Sequence, residues 1–278
     1  MAQEFPPVRA CIFDVDGTLI NSEDIYTEIY NKILHEYGRP DYPWEIKATQ
    51  QSRGTPGTLR LLNWAQVPLT LSEWTTKEKQ HTHLFASSKP LPGVESLLTT
   101  LSTKTAPPPK LSLASSAGRQ KFALKTSHMP FMHAAFPNPT LHVFGDDPEM
   151  SDSKKKPQPD IFLLALKRLN EAAKESGEGA IAPEECLVFE DSVAGVEAAR
   201  RAGMRVVWVP HPGLAGVSGG LEMDVLMGRT EVDGRVPEFG KGAVDVGEEG
   251  LVAEDGRAEM RRSLEGFPYE KYGIRVVE

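Results

Sequence analysis

Asp14 and Asp16 stand two positions apart in "CIFDVDGTLI", residues 11 to 20, a run otherwise dominated by strand-forming apolar side chains. A buried carboxylate with no partner is costly enough that it takes up a proton, pairs with a cation or binds a metal. Three further apolar runs also end in polar residues: Ser115 and Ser116 close "KLSLASS", Asp146 and Asp147 close "LHVFGDD", and Glu190 and Asp191 close "ECLVFED". The lysines of "DSKKKPQPD" follow the third run closely. In an open parallel sheet ligands bind at the carboxyl ends of the strands, so these groups are expected along one edge. Carboxylate oxygens grouped there suit Mg²⁺, and a lysine beside them suits an anionic substrate. Turn formation by Asp and Gly, or helix capping by Ser116 and by the residues around Ser192, would use the same side chains; for Glu190 and Asp191, capping and metal binding are compatible.

The elements that must position these groups are legible as hydrophobic patterns. "RACIFDVD", "KLSLASS", "LHVFGDD", "ECLVFED" and "RVVWVP" are short runs, apolar on both faces, each followed by a helical pattern. They predict an α/β fold whose core is a Rossmann-like parallel sheet covered on both faces. Between the first and second strands the apolar spacing is helical, as in Ile25, Ile29, Ile33 and Leu34, over a stretch too long for one crossover helix. This stretch, 21–89, is expected to be an inserted helical cap, leaving 1–20 and 90–278 as a discontinuous core. Residues 216–260 hold eleven acidic side chains against four basic ones, with glycines throughout. Such composition predicts an acidic loop insertion that could be deleted without harm to the chemistry. Trp44, Trp64 and Trp74 read as cap core. The histidines show no metal-ligand spacing, and the two in "HTH" would point apart on a helix.

Composition narrows the functional classes. The formal net charge of -8 over 278 residues argues against general nucleic-acid or anionic-membrane binding, which relies on clustered Lys and Arg. Two cysteines, Cys11 and Cys186, each beside a β-rich run, imply no disulfide framework and a reducing compartment. With no signal pattern at the N-terminus and no long apolar run, a cytoplasmic monomer is expected.

Four segments carry a resemblance. "DVDGTL" resembles the first motif of the haloacid dehalogenase-like hydrolases, "LASS" the second, "KPQPDIF" the third and "FEDSVAGVEAARRAGM" the fourth, in the expected order. "FALKTSHM", "GDDPEM", "PLPGVESLL" and "SLEGFPYEKYGI" are similar to the branch that holds pseudouridine-5'-phosphatase and plant glycerol-3-phosphatase, with 2-deoxyglucose-6-phosphatases and β-phosphoglucomutase more distant. The resemblance implies a Mg²⁺-dependent phosphatase acting on a small phosphorylated metabolite: a sugar, polyol or nucleotide phosphate. Asp14 would be the nucleophile that forms an aspartyl-phosphate, and Asp16 the general acid/base. Ser115, Ser116 and Lys156 would hold the phosphoryl group. The metal would take Asp14, the backbone carbonyl of Asp16 and Asp191, with Glu190 in or just outside its shell. Arg53, in "QQSRG", would contact substrate from the cap. Relatives usually have Gly before the motif-three lysine; here Lys155 precedes Lys156, and Lys154 or Lys155 remain alternatives for its role. Ser52 stands where relatives have the cap glycine, and Asn21 where many have an acid. A phosphoglucomutase, which returns the phosphoryl group to a sugar, is the alternative enzyme. A catalytically silent binding protein on the same fold is the alternative outside enzymes.

Overall fold

Alternation along the strands assigns each residue to one of two cores. In the computed structural model, which describes residues 5–231, 235–240, 242 and 250–277, strand β1 (Ala10–Phe13) sends Ala10 and Ile12 into one cluster and Cys11 and Phe13 into the other. Successive side chains of a strand point to opposite faces, so a strand covered on both sides is apolar throughout. The chain then enters α1 (Ser22–Glu36), α2 (Trp44–Gln50), α3 (Thr55–Ala65), α4 (Leu71–Gln80) and a 3-10 turn, Thr82–Ser87. It continues through α5 (Val94–Thr103), β2 (Lys110–Ser115), α6 (Arg119–Thr126), α7 (Pro130–Ala135), β3 (Val143–Phe144) and α8 (Asp160–Glu175). After β4 (Cys186–Glu190), α9 (Val193–Arg201) and β5 (Arg205–Trp208) come α10 (Pro212–Ala215), α11 (Glu222–Met227), β6 (Leu251–Val252) and β7 (Ala258–Met260).

The seven strands form one sheet in the order β3-β2-β1-β4-β5-β7-β6, parallel except for β6. The expected parallel α/β core is therefore present, with two strands more than the apolar runs announced. Helices α8, α9 and α11 pack on the face of Ile12 and Val188, and α5 and α7 on the face of Phe13 and Phe189. Phe13 stacks on Phe189 with ring centroids 4.5 Å apart.

Residues 22–88 build a third cluster of their own, with Ile29, Ile33, Leu61, Trp74 and Phe85 at its centre. Its two connections to the core run side by side. Asn21 donates its backbone N–H to Lys89 O at 3.0 Å and accepts the Lys89 N–H on Oδ1 at 2.7 Å. Trp74 lies in the cap core. Trp44 does not: it stacks on His211 of the core at 4.4 Å, and Gly213 leaves room for its indole.

The segment 216–260 departs from the expectation of loop. Its described part contributes α11 and the strands β6 and β7, and β7 pairs in parallel with β5 through Val206↔Ala258 and Trp208↔Met260. Val225, Leu226, Ala253, Ala258 and Met260 are buried in the main core. The sequence pattern hid this because a three-residue strand, Ala-Glu-Met, has no detectable periodicity. Among the described residues no helix is long and apolar enough to cross a membrane.

Candidate active site

Register brings the strand ends together. Phe13 stands level with Leu113 of β2 and Phe189 of β4, so Asp14, one residue on, meets Ala114 and Glu190 at the carboxyl edge. The Asp14 N–H donates to Phe189 O at 3.0 Å. Asp14, Glu190 and Asp191 each offer an oxygen, all within 4.8 Å of one another, and all three residues are buried. Gly17 (φ +82°) passes so close to the Asp191 carboxylate that a Cβ would collide with it. Gly195 serves likewise for Glu190, letting α9 start directly against that carboxylate.

Lys156 closes the cluster. Lys156 is 1% exposed, and its ammonium donates to Asp14 Oδ1 and Glu190 Oε1, both at 2.5 Å, and to Ala114 O at 3.3 Å. Lys155 instead donates to Gly145 O at 2.6 Å and Lys154 to Glu149 O at 3.0 Å, so only the third lysine of the run reaches the carboxylates. Burial would lower the pKa of Lys156, but Asp14 and Glu190 outweigh that and hold it above the usual lysine range. Burial pushes Asp14 up to about 8 against the pull of Lys156, and burial with the charges of Glu23 and Glu190 pushes Asp191 up.

Glu190 is braced from several sides. Its Oε2 accepts the N–H groups of Asp191 and Ser192, both at 3.0 Å, and the Ser192 hydroxyl at 3.1 Å. Ser192 caps α9 by accepting the Gly195 N–H at 3.1 Å. Asp14 Oδ2, by contrast, is buried with no hydrogen-bond partner among the described residues. Trp208 donates to Asp191 O at 2.7 Å, fixing the loop that carries that carboxylate.

Asp16 takes a different direction. Its Oδ1 accepts the Ser22 hydroxyl at 2.5 Å and the ammonium of Lys125, and its side chain lies outside the three-carboxylate group. Burial would raise its pKa, but the Lys125 charge and the two hydrogen bonds carry it below the usual carboxylate range. Ser115 is buried and accepts the Ala117 N–H at 3.1 Å, which leaves its O–H free to donate. Ser116 lines the neighbouring cavity and reaches toward Ser52 O of the cap at 3.4 Å. It does not cap α6; Asp146 does, accepting the Arg119 N–H at 3.0 Å. Asp147 pairs with Arg168 at 2.8 Å and is structural.

A cavity of about 270 Å³ opens beside Asp14 and Asp16, between the sheet edge and the cap. Its lining is polar: Glu23, Tyr26, Tyr30, Gln50, Gln51 and Thr58 from the cap, with Lys121 from the core. Gln51 donates to Asp191 Oδ2 at 3.1 Å, while its own Oε1 is buried without a partner among the described residues. Arg53, expected to contact substrate, does not line this cavity. Its guanidinium is turned into the interior, pairing with Glu231 and donating to Ala48 O at 2.9 Å. The Ser52–Gly54 backbone takes positive φ at both ends, which turns the Arg53 side chain away from the site.

Lys125, Gln51, Ser22 and the Lys47–Glu23 pair (2.9 Å) were not singled out by sequence reasoning. The available signal was a lysine set among apolar residues, as Lys47 is between Ile46 and Ala48. Burial of these groups depends on the cap meeting the core, which local pattern does not report.

The comparison with known families can now be set beside this geometry. The haloacid dehalogenase-like hydrolase family model matches residues 8–203. The chain belongs to that family. It is 39% identical over 271 residues to a Saccharomyces cerevisiae protein named probable pseudouridine-5'-phosphatase, covering 96% of this chain and 98% of that one. It is 34% identical over 204 residues to the mitochondrial (DL)-glycerol-3-phosphatase 1 of Arabidopsis thaliana, covering 72% of this chain and 63% of that one. Among solved structures it is similar to a hydrolase from Pseudomonas syringae, at TM-score 0.51 and 26% identity, covering 73% of this chain and 84% of that one. As a member of this family with named phosphatase relatives, the protein is a hydrolase acting on phosphoric monoesters.

Proposed function

We propose that the protein is a Mg²⁺-dependent phosphatase that works through an aspartyl-phosphate on Asp14 and releases a small, uncharged, hydroxyl-bearing leaving group. The observation that carries this reading is the charge of the buried cluster. Asp14, Glu190 and Asp191 set three carboxylates against the single ammonium of Lys156, two positive charges short of balance. One divalent cation supplies that difference, and hard oxygen donors with the orphaned Asp14 Oδ2 among them fit Mg²⁺. Asp14, Asp191 and the backbone carbonyl of Asp16 would hold it, with Glu190 at the margin because its oxygens are already engaged. When bound, the ion supplies charge neutralisation for nucleophile and phosphate.

The steps then fall to the side chains. Asp14 attacks phosphorus as the bond to the leaving oxygen breaks, and Asp16, which takes up a proton from solvent when the anionic phosphate sits beside it, gives that oxygen its proton. Ser115, Ser116 and Lys156 hold the non-bridging oxygens. Asp16, now a carboxylate, takes a proton from the water that attacks the aspartyl-phosphate, and inorganic phosphate leaves.

The cavity supports the choice of leaving group. Hydroxyls, amides and carboxylates line it, and the nearby cations are each paired: Lys121 with Glu78, Lys47 with Glu23 and Arg53 with Glu231. A second phosphate, as a phosphoglucomutase needs, finds no unpaired cation among the described residues lining it. Pseudouridine 5'-phosphate leads the substrates on the strength of the yeast relative, with glycerol 3-phosphate next. The test is kcat/KM for phosphate release from both, with and without Mg²⁺, on wild type and Asp14→Asn. Mg²⁺-dependent release that Asp14→Asn abolishes is expected. No release from either ester or from an activated aryl phosphate would refute the phosphatase reading, and full activity of Asp14→Asn would refute the covalent route.

A further inference from the structure

Lys125 is one of the largest fully buried side chains in the protein, yet the reaction described above gives it no role. It rises from α6 of the core into the cap. Its ammonium lies over the rings of Phe85 at 4.4 Å and Tyr26 at 4.7 Å and donates to Tyr26 Oη at 3.2 Å. It also makes an ion pair with Asp16 Oδ1, the same oxygen that accepts the Ser22 hydroxyl. No donor among the described residues falls on Asp16 Oδ2, and Asp16 lines the cavity.

We propose that Lys125 is a positioning residue for the acid/base Asp16. A carboxylate rotates broadly about its terminal bond and otherwise offers either oxygen. A charge-assisted bond to Oδ1 fixes that oxygen, leaving Oδ2 as the one that passes the proton to the leaving oxygen and later takes it from water. Tyr26, Phe85 and Ser22 all belong to the cap, so the arrangement is complete only when the cap is docked on α6. Proton transfer is thereby tied to a covered site.

The role rests on the phosphatase reading and predicts a selective defect. Proton donation matters for an alkoxide leaving group and little for p-nitrophenolate, whereas water activation is needed for both. The full-length protein with Mg²⁺ and its Lys125→Met variant are compared in single-turnover and burst experiments with glycerol 3-phosphate and p-nitrophenyl phosphate. For the variant, the first step with the alkyl ester is expected to fall about tenfold to a hundredfold. The aryl ester should instead give a burst near one equivalent, at a rate within about threefold of wild type, followed by slow turnover. Equal loss of the first step on both esters, or no loss on the alkyl ester, overturns the proposal. Wild type inactive on both overturns the phosphatase reading as well. If Lys125→Met does not fold, Ser22→Ala removes the other donor to the same oxygen and should show the same split in smaller degree; a uniform loss there refutes the role.

Discussion

Deleting residues 216–260 is expected to unfold the protein, although composition alone marks that segment as dispensable. Val225 and Leu226 of α11 and Met260 of β7 are at most 4% exposed and pack against α9 and β5. At about 1.5–3 kcal/mol for each side chain returned to water, their loss comes to roughly 5–9 kcal/mol. Total stabilities of single domains are about 5–15 kcal/mol, so the deletion consumes most of the margin. It also strips β5 of β7, one of its two neighbours in the sheet, and Arg53 of its counter-charge. Soluble yield and a circular-dichroism melt read the deletion directly. Urea denaturation of Leu226→Ala reads the core contribution alone, with an expected loss of about 2–5 kcal/mol. A deletion protein that melts within a few degrees of the full chain and still releases phosphate would refute the reasoning. Failure of the deletion with no cost for Leu226→Ala would place the defect in joining Ala215 to Arg261 rather than in lost core.

Two further perturbations test charges the fold has buried. Glu231→Gln strands the Arg53 guanidinium in the interior and should cost about 3–5 kcal/mol, most of it recovered in the apolar double variant Arg53→Met/Glu231→Leu; a double-mutant cycle in urea measures this, and a single-variant cost under about 0.5 kcal/mol would show the pair to be idle. Burial lowers the pKa of His142 from its ordinary 6.5 to about 4, so the unfolded chain takes up this proton first. The stabilisation from the neutral ring is then complete above about pH 6.5 and lost as pH falls toward 4, amounting to about 3 kcal/mol at most. His142→Gln should therefore show a smaller fall in urea midpoint between pH 7 and pH 4.5 than wild type, and equal falls would contradict the assignment.

The parallel sheet was legible because its strands are covered on both faces and so stand in the sequence as unbroken apolar runs. The groups at their carboxyl ends could be placed on one edge for the same reason: a parallel register aligns strand ends whatever the helices between them do. Asp14, Glu190 and Asp191 meet through that register. Local pattern has no such hold on side chains whose environment is made by distant residues. Three consecutive lysines are equivalent in composition, and only the path of the chain into α8 selects Lys156 as the one that reaches Asp14. Arg53 looks toward a substrate in the sequence, but Glu231, 178 positions away, holds it inside the protein. The burial of Lys125 arises from Tyr26 and Phe85 of the cap closing over α6, and β7 exists because β5 offers it an open edge. The sequence by itself determined the five parallel strands β1 to β5, the order of their acidic ends and the family chemistry they imply. Tertiary structure decided which cations reach those acids and which are kept from them, because pairing of buried charge depends on distance in space and not on spacing along the chain.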